Sequence, residues 1–391
     1  MNKIFCHICG SDLLYRLGAL PAKLVSSDCK PVDRPADYVV CGNCATVQKI
    51  LIGEYNSYCD KIYKNYSVYY QGDGEEQKIF TDSGPVPRSA HIIKKIFKDH
   101  EISLSGSLLD IGCGNGNFLR SFNRVYPGWD LTGLEYDTKD RETISAIPGV
   151  KKFLSLPLYS INEKFDIIVM LHLLEHIRNP VYFLQQVIKL LSSDGYLLIE
   201  VPDLGHNPFD LLIYDHCSHF TEISLVNLLN ITGFRIIDIR NDIIPKELTV
   251  LAEKHVGQCR SYDLVTYDHE SVDAALYINW LEKIKKQVSL LSTMNDSLCV
   301  FGTTIAATWI SSIVDVDFFV DEDMSRVGHR LHGKPVLKIS QLHGNEIIYL
   351  PFPFEMAFDL RKRLYEDGVK NTMAIPSSMY QQQGNAEAKD N

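Results

Sequence analysis

The sequence predicts an α/β protein: a doubly wound, largely parallel sheet flanked by a cysteine-bearing N-terminal segment and a second, smaller C-terminal α/β unit. Three observations carry this expectation. Strand-length apolar runs alternate with helical periodicity between about residues 91 and 255. One of those runs ends in an acid, Asp110, and opens at once into spaced glycines. Two C-x-x-C pairs precede it. A chain of 391 residues also exceeds what one ordinary hydrophobic core organises, so more than one unit is expected.

The N-terminal unit, residues 1–60, is defined by Cys6-His7-Ile8-Cys9 and Cys41-Gly42-Asn43-Cys44. Each pair puts two thiolates on one tight turn, and two such turns complete a closed tetrahedral shell for zinc. Cys6, Cys9, Cys41 and Cys44 are therefore the expected ligands of a structural zinc ion. A redox C-x-x-C normally stands alone beside a βαβ pattern, which disfavours that alternative. Residues 61–90 form a tyrosine-rich connector or lid, reading as too polar for a core element, with turn signals at Gln71–Gly74 and Ser83–Pro87.

Helix, strand and helix then alternate. His91–His100 is helical, and Leu108-Leu109-Asp110-Ile111-Gly112-Cys113-Gly114-Asn115-Gly116-Asn117-Phe118 reads as strand, tight loop and helix start. Glycine allows a sharp turn and close backbone approach, and the helix that follows offers free N–H groups. A dinucleotide fingerprint spaces its glycines G-x-G-x-x-G. The G-x-G-x-G spacing here suits a ligand with a positively charged sulfonium and an amino-acid tail, which describes S-adenosylmethionine. Asp110 is then expected near the methionyl ammonium, and Glu135, closing the apolar stretch Leu131–Leu134, at the ribose hydroxyls. The expected cofactor set is Asp110, Gly112, Cys113, Gly114, Gly116, Phe118, Glu135 and His172. Strands at 165–170, 196–201, 234–239 and 248–252, with helices at 181–191 and 223–229, bring the sheet to about seven strands. From about 270, a long amphipathic helix leads into the second α/β unit, 270–378, whose loop after Phe301 has only Gly302 and reads as scaffold. Residues 379–391 are polar and expected to be disordered.

Two constellations suggest chemistry. His172, Glu175 and His176 follow the strand ending at Met170, at the carboxyl edge where open α/β sheets bind ligands. A metal reading of the two histidines lacks a third ligand, so His172 is placed beside the cofactor and His176 toward the substrate. The second is Tyr214-Asp215-His216-Cys217-Ser218-His219, where an acid adjoining a histidine is expected to orient the ring and raise its basicity.

Taken together, the paired Cys6/Cys9 and Cys41/Cys44, Asp110–Gly116, Leu174-Glu175-His176-Ile177, Asp215–Ser218 and a trailing α/β unit make the chain resemble the zinc-containing deoxysugar C-methyltransferases. That resemblance covers nearly the whole chain and implies a Rossmann-like class I methyltransferase fold. It also implies C-methylation of a nucleotide-linked keto-deoxysugar through an enolate, with His216 as the base, His176 assisting at the keto or enolate oxygen and Asp215 as the acid beside the base. The chain departs from the family where Asp215 replaces a glutamate and Ile213 stands in place of a substrate-facing tyrosine. O-methylation of a sugar or surface-polysaccharide unit, and a noncatalytic zinc-bearing assembly protein, are the alternatives.

A net charge of −10 with no basic arm argues against nonspecific nucleic-acid binding. The longest apolar runs are strand length, too short for a bilayer span, and the start lacks a signal-peptide pattern, so a cytoplasmic protein acting on a small molecule is expected.

Overall fold

The computed structural model describes residues 4–20, 23–51, 53–66, 74–81, 84–100, 102–255, 274–294 and 297–379. The expected tail from Tyr380 onward lies outside the described residues, as do most of Gln71–Gly74 and the serine of Ser83–Pro87.

The central sheet has seven strands: β1 Ser105–Ile111, β2 Gly128–Leu134, β3 Val150–Leu154, β4 Phe165–Leu171, β5 Leu191–Pro202, β6 Phe234–Arg240 and β7 Glu247–Lys254. Their spatial order is β3-β2-β1-β4-β5-β7-β6. β7 runs antiparallel to both neighbours, whereas β1 to β5 pair in parallel. Alternate residues feed two separate apolar layers: Leu108, Ile167, Val169 and Leu198 go into one, and Leu109, Ile168, Met170 and Leu197 into the other. A sheet covered on both faces leaves its strand ends as the ligand-accessible edge, and the chain order reverses between β1 and β4. β5 runs on through Ser193–Gly195, and the β4–β5 register slips between Phe165 and Ile167.

The N-terminal segment is less independent than its sequence suggests. Its strands Leu14–Leu20, Ala36–Cys41 and Val47–Lys49 are joined by a fourth, Ser218–His219, that belongs to the central unit. Leu20, Tyr38 and Val40 share one core with Phe209, Leu211 and Tyr214 and with Tyr277, Trp280 and Trp309 of the C-terminal part. The start of the tyrosine-rich stretch continues a helix that begins in the N-terminal segment. Helix Tyr55–Lys64 buries Tyr55 and Cys59, four residues apart on one face, against that core. Tyr55 tolerates burial because its hydroxyl donates to the Tyr214 carbonyl at 3.1 Å.

The C-terminal unit has a six-stranded sheet ordered Arg330–Leu331, Lys334–Leu337, Phe318–Val320, Leu298–Phe301, Ile347–Tyr349, Thr372–Ala374, reached through helix Ala274–Met294. No helix among the described residues is long and apolar enough to cross a membrane.

Candidate active site

The loop after β1 is built for close approach. Gly112, Gly114 and Gly116 all have positive φ (76°, 53° and 81°), a region where side chains are strained. At Gly116 an added Cβ would also lie 2.7 Å from Ile147 Cδ1. The loop is tied to the tip of β2: the Gly114 N–H donates to Glu135 Oε2 at 3.0 Å, and the Tyr136 N–H to Oε1 at 2.8 Å. Asp110 is buried at the end of β1, and its Oδ2 has no hydrogen-bond partner among the described residues. Burial first, and the nearby Glu135 carboxylate second, push its pKa up to about 8. A buried carboxyl with an unused oxygen, beneath a glycine loop, fits a ligand bearing an ammonium group.

Two residues expected at this loop lie deeper. Phe118 is buried with its ring stacked on Phe122 at 6.0 Å, and Cys113 is buried where its Sγ would lie 2.9 Å from a Cβ at Gly133. Both support the loop from the core. The connector reaches the loop from outside: the Gly74 carbonyl accepts Asn115 Nδ2 at 2.7 Å.

The turn after β4 lies beside the loop, with Leu173 Cδ1 3.3 Å from where a Gly112 Cβ would stand. His172 adopts φ 51°, an uncommon conformation for a residue with a side chain. Its ring stands 3.3 Å from Glu175, 3.6 Å from Glu200 and 3.8 Å from Glu247, and it also meets Arg88. Burial and Arg88 oppose a charge on His172, but the Glu247, Glu175 and Glu200 carboxylates outweigh them and raise its pKa to about 10. Arg88 Nε donates to Glu200 Oε1 at 3.0 Å, and burial raises the Glu247 pKa to about 7. Arg88, Glu200 and Glu247 were not foreseen from sequence. They come from three separate elements, and no local spacing announces them.

The second constellation assembles differently from its sequence pattern. His216 is held not by its neighbour Asp215 but by Asp210, whose Oδ1 accepts the Nδ1–H at 2.7 Å. Asp210 Oδ2 accepts the Nδ1–H of His219 at 2.5 Å. Asp215 points to the N-terminal segment, where its Oδ1 and Oδ2 accept the Ser27 N–H and Oγ–H at 2.9 and 2.6 Å, and its Oδ2 lies 3.4 Å from His176 Nδ1. The physical reason is the 3-10 turn Pro208–Leu212, which folds Asp210 back under the loop while Ile213–His216 reverses direction. His176 Nδ1 is 3.2 Å from the Tyr63 hydroxyl and 3.1 Å from the Asp215 carbonyl. Its ring meets that of His216 edge-on at 4.6 Å.

Burial alone would depress the His216 imidazolium, but Asp210, then Glu175 and Asp215, raise its pKa. His176 moves the other way, lowered by burial and by His216. Asp210 stays ionised against its burial because His219 and His216 hold its carboxyl well below the usual range. With Nδ1–H spent on Asp210, the Nε2 lone pair is the basic site of His216.

The cysteine pairs converge. Cys6 and Cys44 Sγ are 3.5 Å apart, as are Cys9 and Cys41, and all four sulfurs lie within 4.8 Å of one another. Zinc bound tetrahedrally by thiolates at about 2.3 Å has S···S edges of about 3.8 Å. Cys29 stands outside this group, its carbonyl accepting the Thr308 hydroxyl at 3.4 Å.

Residues 87–239 match a family model described as a methyltransferase domain. Ubiquinone biosynthesis O-methyltransferases of Psychrobacter cryohalolentis and Pelagibacter ubique are similar to this chain, at 25% identity over 122 residues and 28% over 125. Those alignments cover 28% and 29% of this chain and 46% and 51% of the relatives. The chain thus spans about half the length of the curated relatives it matches. Among solved structures, the 1,6-didemethyltoxoflavin-N1-methyltransferase of Burkholderia thailandensis overlaps with TM-score 0.40 and 18% identity, covering 56% of this chain and 96% of that one. Residues 87–239 therefore form a methyltransferase domain, and the chain carries a Rossmann-like class I methyltransferase fold.

Proposed function

We propose that this chain transfers a methyl group from S-adenosylmethionine to a small carbohydrate-related acceptor, with His216 as the base. The observation that carries the assignment of the base is the buried Asp210–His216 pair, set edge-on to His176. The cofactor, when bound, supplies an electrophilic methyl group on a sulfonium. Asp110 would face its ammonium, Glu135 its ribose, and Gly112, Gly114 and Gly116 its backbone contacts, with His172 at the border of the site. Phe118 and Cys113 serve from below.

Resemblance to the deoxysugar C-methyltransferases supports a nucleotide-linked keto-deoxysugar as acceptor. His216 Nε2 takes the proton from the carbon beside the ketone, and the electron pair moves onto the oxygen as an enolate. His176, whose Nδ1–H the Asp215 carbonyl accepts at 3.1 Å, would donate from Nε2–H to that oxygen when its ring is protonated. Asp210 keeps the base in register. Cys6, Cys9, Cys41 and Cys44 hold a structural zinc ion, a role supported by their convergence and by a closed thiolate shell that leaves no position for substrate.

O-methylation is the second reading, favoured by the names of the ubiquinone O-methyltransferase relatives. Deuterium separates the two. Incubating candidate keto-sugars with enzyme and S-adenosylhomocysteine in D2O should exchange the acidic C–H before any methyl transfer. Methylation at oxygen without such exchange refutes the C-methyl reading.

A further inference from the structure

The loop that carries His216 is fastened from below by the N-terminal segment. Val47–Lys49 pairs antiparallel with Ser218–His219, matching Val47 to His219 and Gln48 to Ser218. Lys49 ends that strand almost fully buried, an uncommon place for a lysine. Its N–H donates to the Cys217 carbonyl at 3.0 Å. Its ammonium donates to the His216 carbonyl at 2.9 Å and to the Ile213 carbonyl, while standing 5.5 Å from the centre of the Tyr38 ring. One cation thus gathers both ends of the turn 213–216 and interacts with the Asp210 and Asp215 carboxylates.

We propose that Lys49 is a positioning residue for His216, fixing the loop that brings the ring to Asp210 and setting the charge around it. The inference rests on the reading of His216 as base for its catalytic meaning, but not for its physical test. A lysine suits this place for two reasons. A neutral apolar side chain of the same length would take the ammonium donor from the buried His216 carbonyl and leave the Ile213 carbonyl only the His216 N–H at 3.4 Å. It would also remove the cation that faces the carboxylates around the ring.

The groups facing His216 are Asp210 and Asp215 on its own segment, His219 on the short strand that follows, Glu175 and His176 from the turn after β4, and Lys49 from beneath. Among these Lys49 is the buried cation with no imidazole alternative. Removing it should therefore stabilise protonated His216 and raise its titration midpoint.

The test uses the full zinc-loaded chain with 15N-labelled histidine, and His216→Gln to assign the resonance. In wild type the ring should titrate as the Nδ1–H tautomer. In Lys49→Met the midpoint should rise by about half a pH unit or more, or the fixed tautomer should be lost, while S-adenosylhomocysteine binds by calorimetry within about twofold of wild type. Lys49→Arg, which keeps the charge, should hold the midpoint nearer the wild-type value. If Lys49→Met does not fold, Lys49→Gln gives the same reading with one donor retained. A folded uncharged variant with unchanged His216 midpoint and tautomer overturns the proposal, and an equal loss of S-adenosylhomocysteine binding reduces Lys49 to general scaffolding and overturns it as well. Methyl transfer that survives His216→Ala would refute the base assignment without altering these shifts, so the two failures are distinguishable.

Discussion

Asp210 and His216 form a buried carboxylate–imidazole pair at 2.7 Å, six residues apart in sequence, and the second oxygen of the same carboxylate holds His219 at 2.5 Å. Two consequences follow for pH. Asp210 raises the His216 pKa, so its removal should lower it. A base is active when deprotonated, so the acid limb of the rate profile belongs to His216 and should move to lower pH in Asp210→Asn. Turnover should also fall, by about tenfold or more, because the ring loses its fixed tautomer. Asp215→Asn should leave that limb nearer its wild-type position, since Asp215 is spent on Ser27. A larger shift from Asp215→Asn than from Asp210→Asn contradicts this arrangement.

Asp110 should make the cofactor-free protein less stable as the pH rises. Its folded pKa, about 8, lies above the ordinary aspartate value of 3.8. Between those values the folded protein holds a proton that the unfolded chain has released, so stability drops across that window. Asp110→Asn should flatten the decline of Tm between pH 5 and 8 and yet weaken S-adenosylhomocysteine binding. Parallel Tm curves for the two proteins would count against a buried, unpartnered carboxyl.

Glu135→Ala should weaken cofactor binding by about 1.5–3 kcal/mol for each hydrogen bond to the carboxylate that is lost. It also frees the Gly114 amide, so the glycine loop should exchange its amide protons faster. Calorimetry showing unchanged affinity would remove Glu135 from the ribose.

Much of this was legible beforehand, and the failures have a common cause. The alternation of strands and helices, the glycine loop and the cysteine pairs are written in local spacing, so they could be read along the chain. Adjacency makes Asp215 the expected partner of His216, but in a reversing loop the two neighbouring side chains point apart. Asp210 reaches the ring through a 3-10 turn that has no clear sequence signature. Arg88, Glu200 and Glu247 meet through tertiary folding alone. Phe118 stands beside the loop in sequence, but the helix beginning at Asn117 turns it into the core.

Zinc removal should reach the acceptor side of the site before the cofactor side. The cysteine segment supplies Ser27 and Lys49 to the 213–217 loop, while no contact from it is needed to form the Gly114–Glu135 tie. Cys41→Ser should lower zinc content, loosen the first 50 residues and depress turnover more than S-adenosylhomocysteine affinity. Metal analysis finding less than about half an equivalent of zinc in carefully prepared protein would refute the structural site.

Methyl transfer itself is the most direct test. Wild type and His216→Ala are incubated with methyl-labelled S-adenosylmethionine and a panel of nucleotide-linked keto-sugars, and product is followed by mass spectrometry. Wild type should add one methyl group to a keto-sugar, and the variant should do so about 10²–10⁴-fold more slowly while binding S-adenosylhomocysteine normally. Near-normal methylation by His216→Ala would contradict the account.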